Sequence, residues 1–278
     1  MKTLLVLALI PMSIVPAFSQ RVDLQLSGGF GFAAAGAPTS SYTETYSTDA
    51  SGYTVTTIQN RHDTYISLGQ GARGEARLIF YLDSSIAIFT GVTYSASTQT
   101  SKINSFFLDL PPIGRDDNLT MDFDCGSLQA GLQVQSHEGI LEPFVAVGAG
   151  YFLRSSFTVT EDNSYTHTDT KVTTNTPIGF VAYLGVNIRI APKVSLFAAG
   201  KATLVSYRIT RTEITNYWEN HVNSLSSLTT SDRITVYEQN KDYTADPYAN
   251  TDMPTNGGPP IPIPTSSIAL LAGVSLEF

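Results

Sequence analysis

Eight stretches of this chain alternate apolar and polar residues with a period of two, and that pattern constrains the fold more than any other feature. Successive side chains of a β-strand point to opposite faces, so a strand facing one apolar environment places apolar residues at every second position. Val22, Leu24, Leu26, Gly28, Phe30 and Phe32 share one parity, against Asp23, Gln25, Ser27, Gly29 and Gly31. Ile66, Leu68, Ala72, Ala76, Leu78 and Phe80 form a second row, with Ser67, Gly69, Arg73, Glu75 and Arg77 between them. Ile86, Ile88, Val92 and Tyr94 mark the third, and Leu128, Ala130, Leu132 and Val134 the fourth. Val145 to Leu153, Ile178 to Ile190 and Val194 to Leu204 carry the fifth, sixth and seventh. Leu270, Ala272, Val274, Leu276 and Phe278 close the series against Gly273, Ser275 and Glu277.

A soluble sandwich alternates too, but its apolar face is the inside and its polar face meets water. Here each row has about the 9–11 residues that a tilted strand needs to cross a bilayer. The opposite parity is rich in Gly, Ser and Gln with a few charges, which suits the narrow interior of a small barrel. Connections alternate in length. Leu82-Asp83-Ser84, Ser136 to Glu142 and Ala191-Pro192-Lys193 are short, whereas Ala37 to Asp63, Ser97 to Asp122, Thr158 to Thr176 and Thr210 to Pro264 are long. Short turns on one rim and long loops on the other are expected of an outer-membrane barrel. The expected fold is therefore all-β: an eight-stranded antiparallel up-and-down transmembrane β-barrel with long extracellular loops. Arg208 to Thr215 and Arg233 to Tyr237 are read as a hairpin above the bilayer. A ninth and tenth spanning strand would leave Arg208, Arg211, Glu213, Asp232 and Arg233 without a lipid-compatible face.

The N-terminus sets the compartment. Met1-Lys2, the apolar run Leu4 to Val15 and the small-residue exit Ala17-Phe18-Ser19 read as a secretory signal peptide over residues 1–19, cleaved before Gln20. Residues 20–278 then form the barrel domain. A net charge of −8 argues against nucleic acid as a partner. Cys125 is the single cysteine, so neither an intrachain disulfide nor a cysteine metal site can form.

The terminal run Ser267 to Phe278, with alternating apolar residues and a final Phe, resembles the assembly signal of outer-membrane proteins. With the strand count, the chain resembles the eight-stranded outer-membrane β-barrel family of OmpA-type, OmpX-type and OmpW-type barrels, without the peptidoglycan-binding domain of full-length OmpA-type proteins. That resemblance implies the outer membrane of a Gram-negative bacterium. It also implies that the barrel-assembly machinery reads Leu270, Ala272, Val274, Leu276 and Phe278, and that outer-membrane lipids surround the wall.

Arg73, Glu75, Arg77, Arg189, Lys201 and Glu277 fall on the inward parity and are expected to form a charge network that plugs the lumen. The alternative for these residues is a narrow porin-like channel or transporter for small solutes. His62, His137, His167 and His221 lie in predicted connections, and no G-x-S-x-G occurs, so no enzyme is expected and a membrane-embedded hydrolase or acyltransferase is the least favoured reading. Asp116-Asp117 and Asp162-Asn163 lack calcium-loop spacing, and neither metal nor cofactor is expected. The outer loops, rich in Thr, Ser, Tyr and Asn, carry the expected role: structural or adhesion-like surface interaction with an extracellular glycan or protein.

Overall fold

The computed structural model describes residues 21–34, 37–48, 54–66, 69–103, 117–136, 139–153, 156–162, 165–238, 255–256 and 260–278. The predicted signal segment 1–19, His137 and Asn163 lie outside them. In chain order the strands begin with β1 (Arg21–Ala33), β2 (Ala37–Thr48), β3 (Thr54–Ile66), β4 (Gly71–Tyr81), β5 (Ile86–Ile103) and β6 (Asp117–Gln135). They continue with β7 (Leu141–Phe152), β8 (Ser156–Asp162), β9 (Thr166–Thr174), β10 (Ile178–Ala191), β11 (Val194–Leu204) and β12 (Ser206–Glu219). Short pieces follow: β13 (Val222–Asn223), β14 (Ile234–Val236), β15 (Thr255–Asn256) and β16 (Ile261–Pro264). The final strand is β17 (Ser267–Glu277).

Eight of these strands close a ring in the order β6-β5-β4-β1-β17-β11-β10-β7, with β7 pairing back to β6. Every pairing in the ring is antiparallel. A closed ring leaves no unpaired edge inside a bilayer, the condition for a sheet to span one. The expected eight-stranded antiparallel transmembrane barrel is what the chain forms. The outward parity is the predicted one: Leu26, Phe30, Val92, Leu132, Val134, Val147, Phe180, Leu184, Leu204 and Leu270 stand exposed around the wall. Phe32, Tyr94 and Tyr151 are exposed toward the outer ends of their strands, where an aromatic girdle meets the headgroups.

The short turns follow local chemistry. Asp83 Oδ1 accepts from the backbone N–H groups of Ser85 and Ile86 at 2.6 and 2.7 Å, an Asx-type turn between β4 and β5. Those two bonds hold the Asp83 carboxyl below the ordinary aspartate range.

Three expectations need correction. The second apolar row is not one strand: Ile66 ends β3, and the chain turns at Gly69-Gln70 before β4. Gly71 takes φ +137, where a Cβ would stand 2.1 Å from the Ala96 carbonyl oxygen, so the break is built around glycine. Glu142 belongs to β7 rather than to the short turn, and its side chain points inward and is buried. The long connections are largely strand. β2 pairs β3, β8 pairs β6 and β9, and β12 pairs β9, β14 and β16. The wall therefore continues upward on one side through β6, β8, β9 and β12. The run Arg208 to Thr215 pairs with the strand at Ile234–Val236 above the ring, as read from its charges.

The inner face of this extension is apolar. Phe157, Val159, Val172, Val205, Tyr207, Ile209 and Ile263 are buried together with Met121, Phe123 and Phe152. Phe123, Phe157, Tyr207 and Phe152 meet edge to face at centroid distances of 5.9 to 6.5 Å. This cluster sits over the outer end of the polar interior.

Candidate functional site

Below that cluster the interior is a layered polar network, set there by the inward parity of each strand. At the middle, Lys201 on β11 donates to Glu75 Oε2 at 2.5 Å, to Thr93 Oγ1 at 3.1 Å and to Gln129 Oε1 at 3.2 Å. Arg77 Nε lies 3.2 Å from Glu75 Oε1. The Arg77 guanidinium stands 4.2 Å from the Tyr183 ring centroid and 5.6 Å from those of Phe89 and Phe144. Both cations thus have a carboxylate and an aromatic face, the arrangement that makes a charge tolerable away from water. Tyr183 donates to Gln129 at 2.6 Å, closing the layer.

One layer toward the short turns, Arg77 donates to Gln25, which donates in turn to Asn187 at 3.3 Å. At the short-turn rim, Tyr81 donates to Asp23 and Gln135, and Gln135 donates to Glu142 at 2.9 Å. Arg189 donates to Glu142, and Arg21 bridges Asp23 at 2.9 Å and Glu277 at 3.2 Å. Toward the outer end, Arg73 donates to Ser267 Oγ and to the Gly69 carbonyl.

The six charges singled out by sequence are all on the inward parity, but they are not one cluster. Glu75, Arg77 and Lys201 form the central group, Arg73 stands above it, and Arg189 and Glu277 are half-exposed at the rim with other partners. The partners that parity alone did not single out are Arg21, Asp23 and Glu142 at the rim and the inward rings of Tyr81, Phe89, Phe144 and Tyr183. The glycines of the inward parity make room for such rings: a Cβ at Gly148 would meet Phe89 at 2.9 Å, and one at Gly150 would meet Phe152 at 2.9 Å.

The second constellation lies on the outward face of the extension. Across β8, β9 and β12, Asp162, His167 and Trp218 stand in one cross-strand row, and Thr160, Asp169 and Asn216 in the next. The alternation of β12 alone would not place Asn216 and Trp218 on the same face as Glu213. Two bulges do so: one between Ile209 and Arg211 turns Glu213 outward, and one between Ile214 and Asn216 sets Asn216 and Trp218 on that same side. Hydrogen bonds then fix the rows. Thr160 donates to Asp169 at 2.7 Å, Asn216 donates to Asp169 at 3.2 Å, and the Trp218 indole donates to Asn216 at 2.8 Å. His167 lies between Asp162 and Asp169, at 3.6 and 3.5 Å. Burial pushes the Asp169 carboxyl up, but the bonds from Thr160 and Asn216 and the neighbouring His167 outweigh it and hold it below the ordinary aspartate range.

A two-residue turn with positive φ at Asn220 and His221 joins β12 to β13, and Asn220 N–H donates to the Tyr165 carbonyl at 2.7 Å. The two tips are thereby tied together around an open pocket of about 390 Å³ lined by Asp162, Tyr165, Thr166, His167, Asn216, Trp218 and His221. Sequence reading placed His167 and His221 in outer loops and missed this face, because a bulge has no sequence signature as plain as alternation. Among the described residues no group of three or more His, Cys, Asp or Glu side chains is placed to hold a metal ion.

An edge-free ring of eight antiparallel strands, apolar outside and polar inside, defines a small outer-membrane-type β-barrel. Solved barrels of this kind resemble it. Neisserial surface protein A is 12% identical over 92% of this chain and 97% of its own, with a TM-score of 0.36. The outer membrane protein OprG from Pseudomonas aeruginosa is 8% identical over 94% and 96%, with a TM-score of 0.43. Ail, the attachment invasion locus protein of Yersinia pestis, is 9% identical over 92% and 98%, with a TM-score of 0.34. No protein-family model matches the chain, and no curated protein matches it in sequence.

Proposed function

We propose that this protein is a non-enzymatic surface-interaction protein of the outer membrane, whose barrel is an anchor plugged by its own charged and aromatic side chains. One observation carries the reading. The barrel wall does not end in loose loops but continues as hydrogen-bonded strands β8, β9 and β12. That extension holds an aromatic and polar outward face in fixed geometry. Rigid Trp and Tyr beside amide, carboxylate and imidazole groups form a binding set, to which His167 and His221 both belong. Outer-membrane lipids and the barrel-assembly machinery are the partners of the anchor, and an extracellular glycan or protein is the partner of the extension. Adhesion of cells displaying the full chain, compared with cells whose chain lacks residues 156–174 and 210–236, tests it. Loss of adhesion in the deletion is expected, and equal adhesion overturns the reading.

A narrow conducting path has its own observation. Arg73 Nε, Arg77 Nη1, Gln133 Oε1, Thr203 Oγ1 and Ser275 Oγ are buried on the inward parity without a protein hydrogen-bond partner. Buried polar atoms of that kind are commonly met by water. Planar-bilayer recording separates the two readings: the plugged anchor predicts no discrete conductance, and reproducible steps from purified protein favour the channel.

A further inference from the structure

We infer that the outward face of the extension is a binding site for a neutral saccharide. The inference rests on the surface-interaction reading and names its ligand class. Three observations narrow the chemistry. First, the pocket is small. At about 390 Å³ it falls in the range of small-molecule sites, roughly 300–1,000 Å³, and does not have the area of a protein interface. Second, its apolar component is aromatic rather than aliphatic: Trp218 and Tyr165 are both substantially exposed. An indole or phenol ring offers a flat, rigid surface at little entropic cost, which suits the C–H face of a pyranose ring.

Third, the polar component is built before any ligand arrives. The relay from Thr160 through Asp169 and Asn216 to the Trp218 indole fixes the plane of the stacking ring. The Asp162 carboxylate stays exposed beside His167, ready to accept from vicinal hydroxyls. No Lys or Arg lines the pocket, and its one acidic member is the Asp162 carboxylate, so a sulfated or otherwise anionic ligand finds no Lys or Arg counter-ion and meets a like charge there. The bulge at Thr215 is the device that assembles the set, since it turns Asn216 and Trp218 to the side where His167 and Asp169 stand. Thr215 itself points to solvent and ties down the bulge by donating to the Asp169 carbonyl at 3.1 Å.

The chain contains a single tryptophan, so indole fluorescence reports this site alone. Full-length protein in detergent micelles is titrated with maltotetraose and with N-acetyllactosamine as neutral probes, and with a heparin hexasaccharide as an anionic one. A saturable change in Trp218 emission with at least one neutral probe, and none with the heparin fragment, is expected. Asp162→Asn weakens that binding about tenfold while leaving the emission of the free protein in place, as loss of one charge-assisted acceptor predicts. Deleting Thr215 abolishes it while the barrel still folds, shown by unchanged resistance of the micellar protein to unfolding in sodium dodecyl sulfate. Silence with both neutral probes at millimolar concentration, equal response to heparin, or full binding after removal of Thr215 overturns the inference. Cell adhesion distinguishes this failure from failure of the broader reading. Adhesion lost on deleting the extension but unaffected by Trp218→Ala sinks the saccharide site alone, whereas adhesion that survives both changes sinks the surface-interaction reading.

Discussion

Lys201 on β11 reaches across the barrel interior to Glu75 on β4, strands that do not neighbour each other in the ring, and the two side chains are 1% and 2% exposed. The pair ties opposite walls together at mid-height. Arg77 and Tyr183 complete its surroundings, so neither charge depends on water.

Removing one member of such a pair leaves the other buried and uncompensated. Lys201→Met or Glu75→Gln alone is expected to destabilise the barrel by about 3–5 kcal/mol, and the double variant by clearly less than the sum. Urea-dependent unfolding of the protein in lipid vesicles measures both. Additive losses would show that the two groups do not act as a unit.

Packing around the inward rings gives a second expectation. A Cβ at Gly150 meets the Phe152 ring at 2.9 Å, whereas one at Gly74 on the outer wall meets nothing within 4 Å. Gly150→Ala should cost about 1–3 kcal/mol. Gly74→Ala should stay within about 0.5 kcal/mol of the parent. The same vesicle unfolding assay ranks them, and equal stabilities would contradict the filled interior.

The outer face has a pH signature. Asp169 titrates below the ordinary aspartate range, so its carboxylate form is favoured in the folded extension. The stabilisation it brings is fully present above about pH 4 and is lost as pH falls through the lowered value. Because Asn216 links Asp169 to the Trp218 indole, indole emission should change on acidification in that window. Asp169→Asn should lack the transition. An unchanged wild-type profile down to pH 2, or the same transition in the variant, would contradict the relay.

The C-terminal residue gives a fourth. Phe278 is 71% exposed on the outward parity, and its N–H donates to the Val22 carbonyl at 2.9 Å, joining the last strand to the first. Deleting Phe278 is expected to reduce the amount of assembled barrel in the membrane fraction while leaving the stability of the assembled molecules nearly unchanged. Normal assembly of the truncated chain would show that the terminal aromatic is not read.

Much of this was legible in the residues. Rows such as Leu26, Phe30 and Ile268, Leu270 face lipid because strand geometry converts parity directly into side, and no tertiary detail intervenes. The same rule placed Glu75, Arg77 and Lys201 inside. It did not pair them, because pairing depends on which strands oppose each other across the closed ring. Glu142 was assigned to a turn because nothing in Ser136 to Glu142 marks where the next strand starts. Apart from the hairpin expected at Arg208 to Thr215 and Arg233 to Tyr237, the extension was read as loop because Phe157-x-Val159 and Val172-x-Thr174 are alternations only two or three residues long, set among threonines and charges. Their apolar parity becomes visible once β8, β9 and β12 pair and bring the short rows side by side. The outward face was hidden further by the two bulges of β12, which invert its alternation after Ile209 and restore it at Asn216.

The central claim is a membrane-spanning barrel with Asp83 on the inner rim and the Tyr165–Trp218 face outside. Its most direct test is maleimide labelling of intact cells, with single cysteines introduced at Asp83 or Tyr165 in a Cys125→Ser background. A membrane-impermeant maleimide should label Tyr165→Cys at once and Asp83→Cys only after the outer membrane is permeabilised. Immediate labelling at position 83, or protection of position 165 until permeabilisation, would contradict the account.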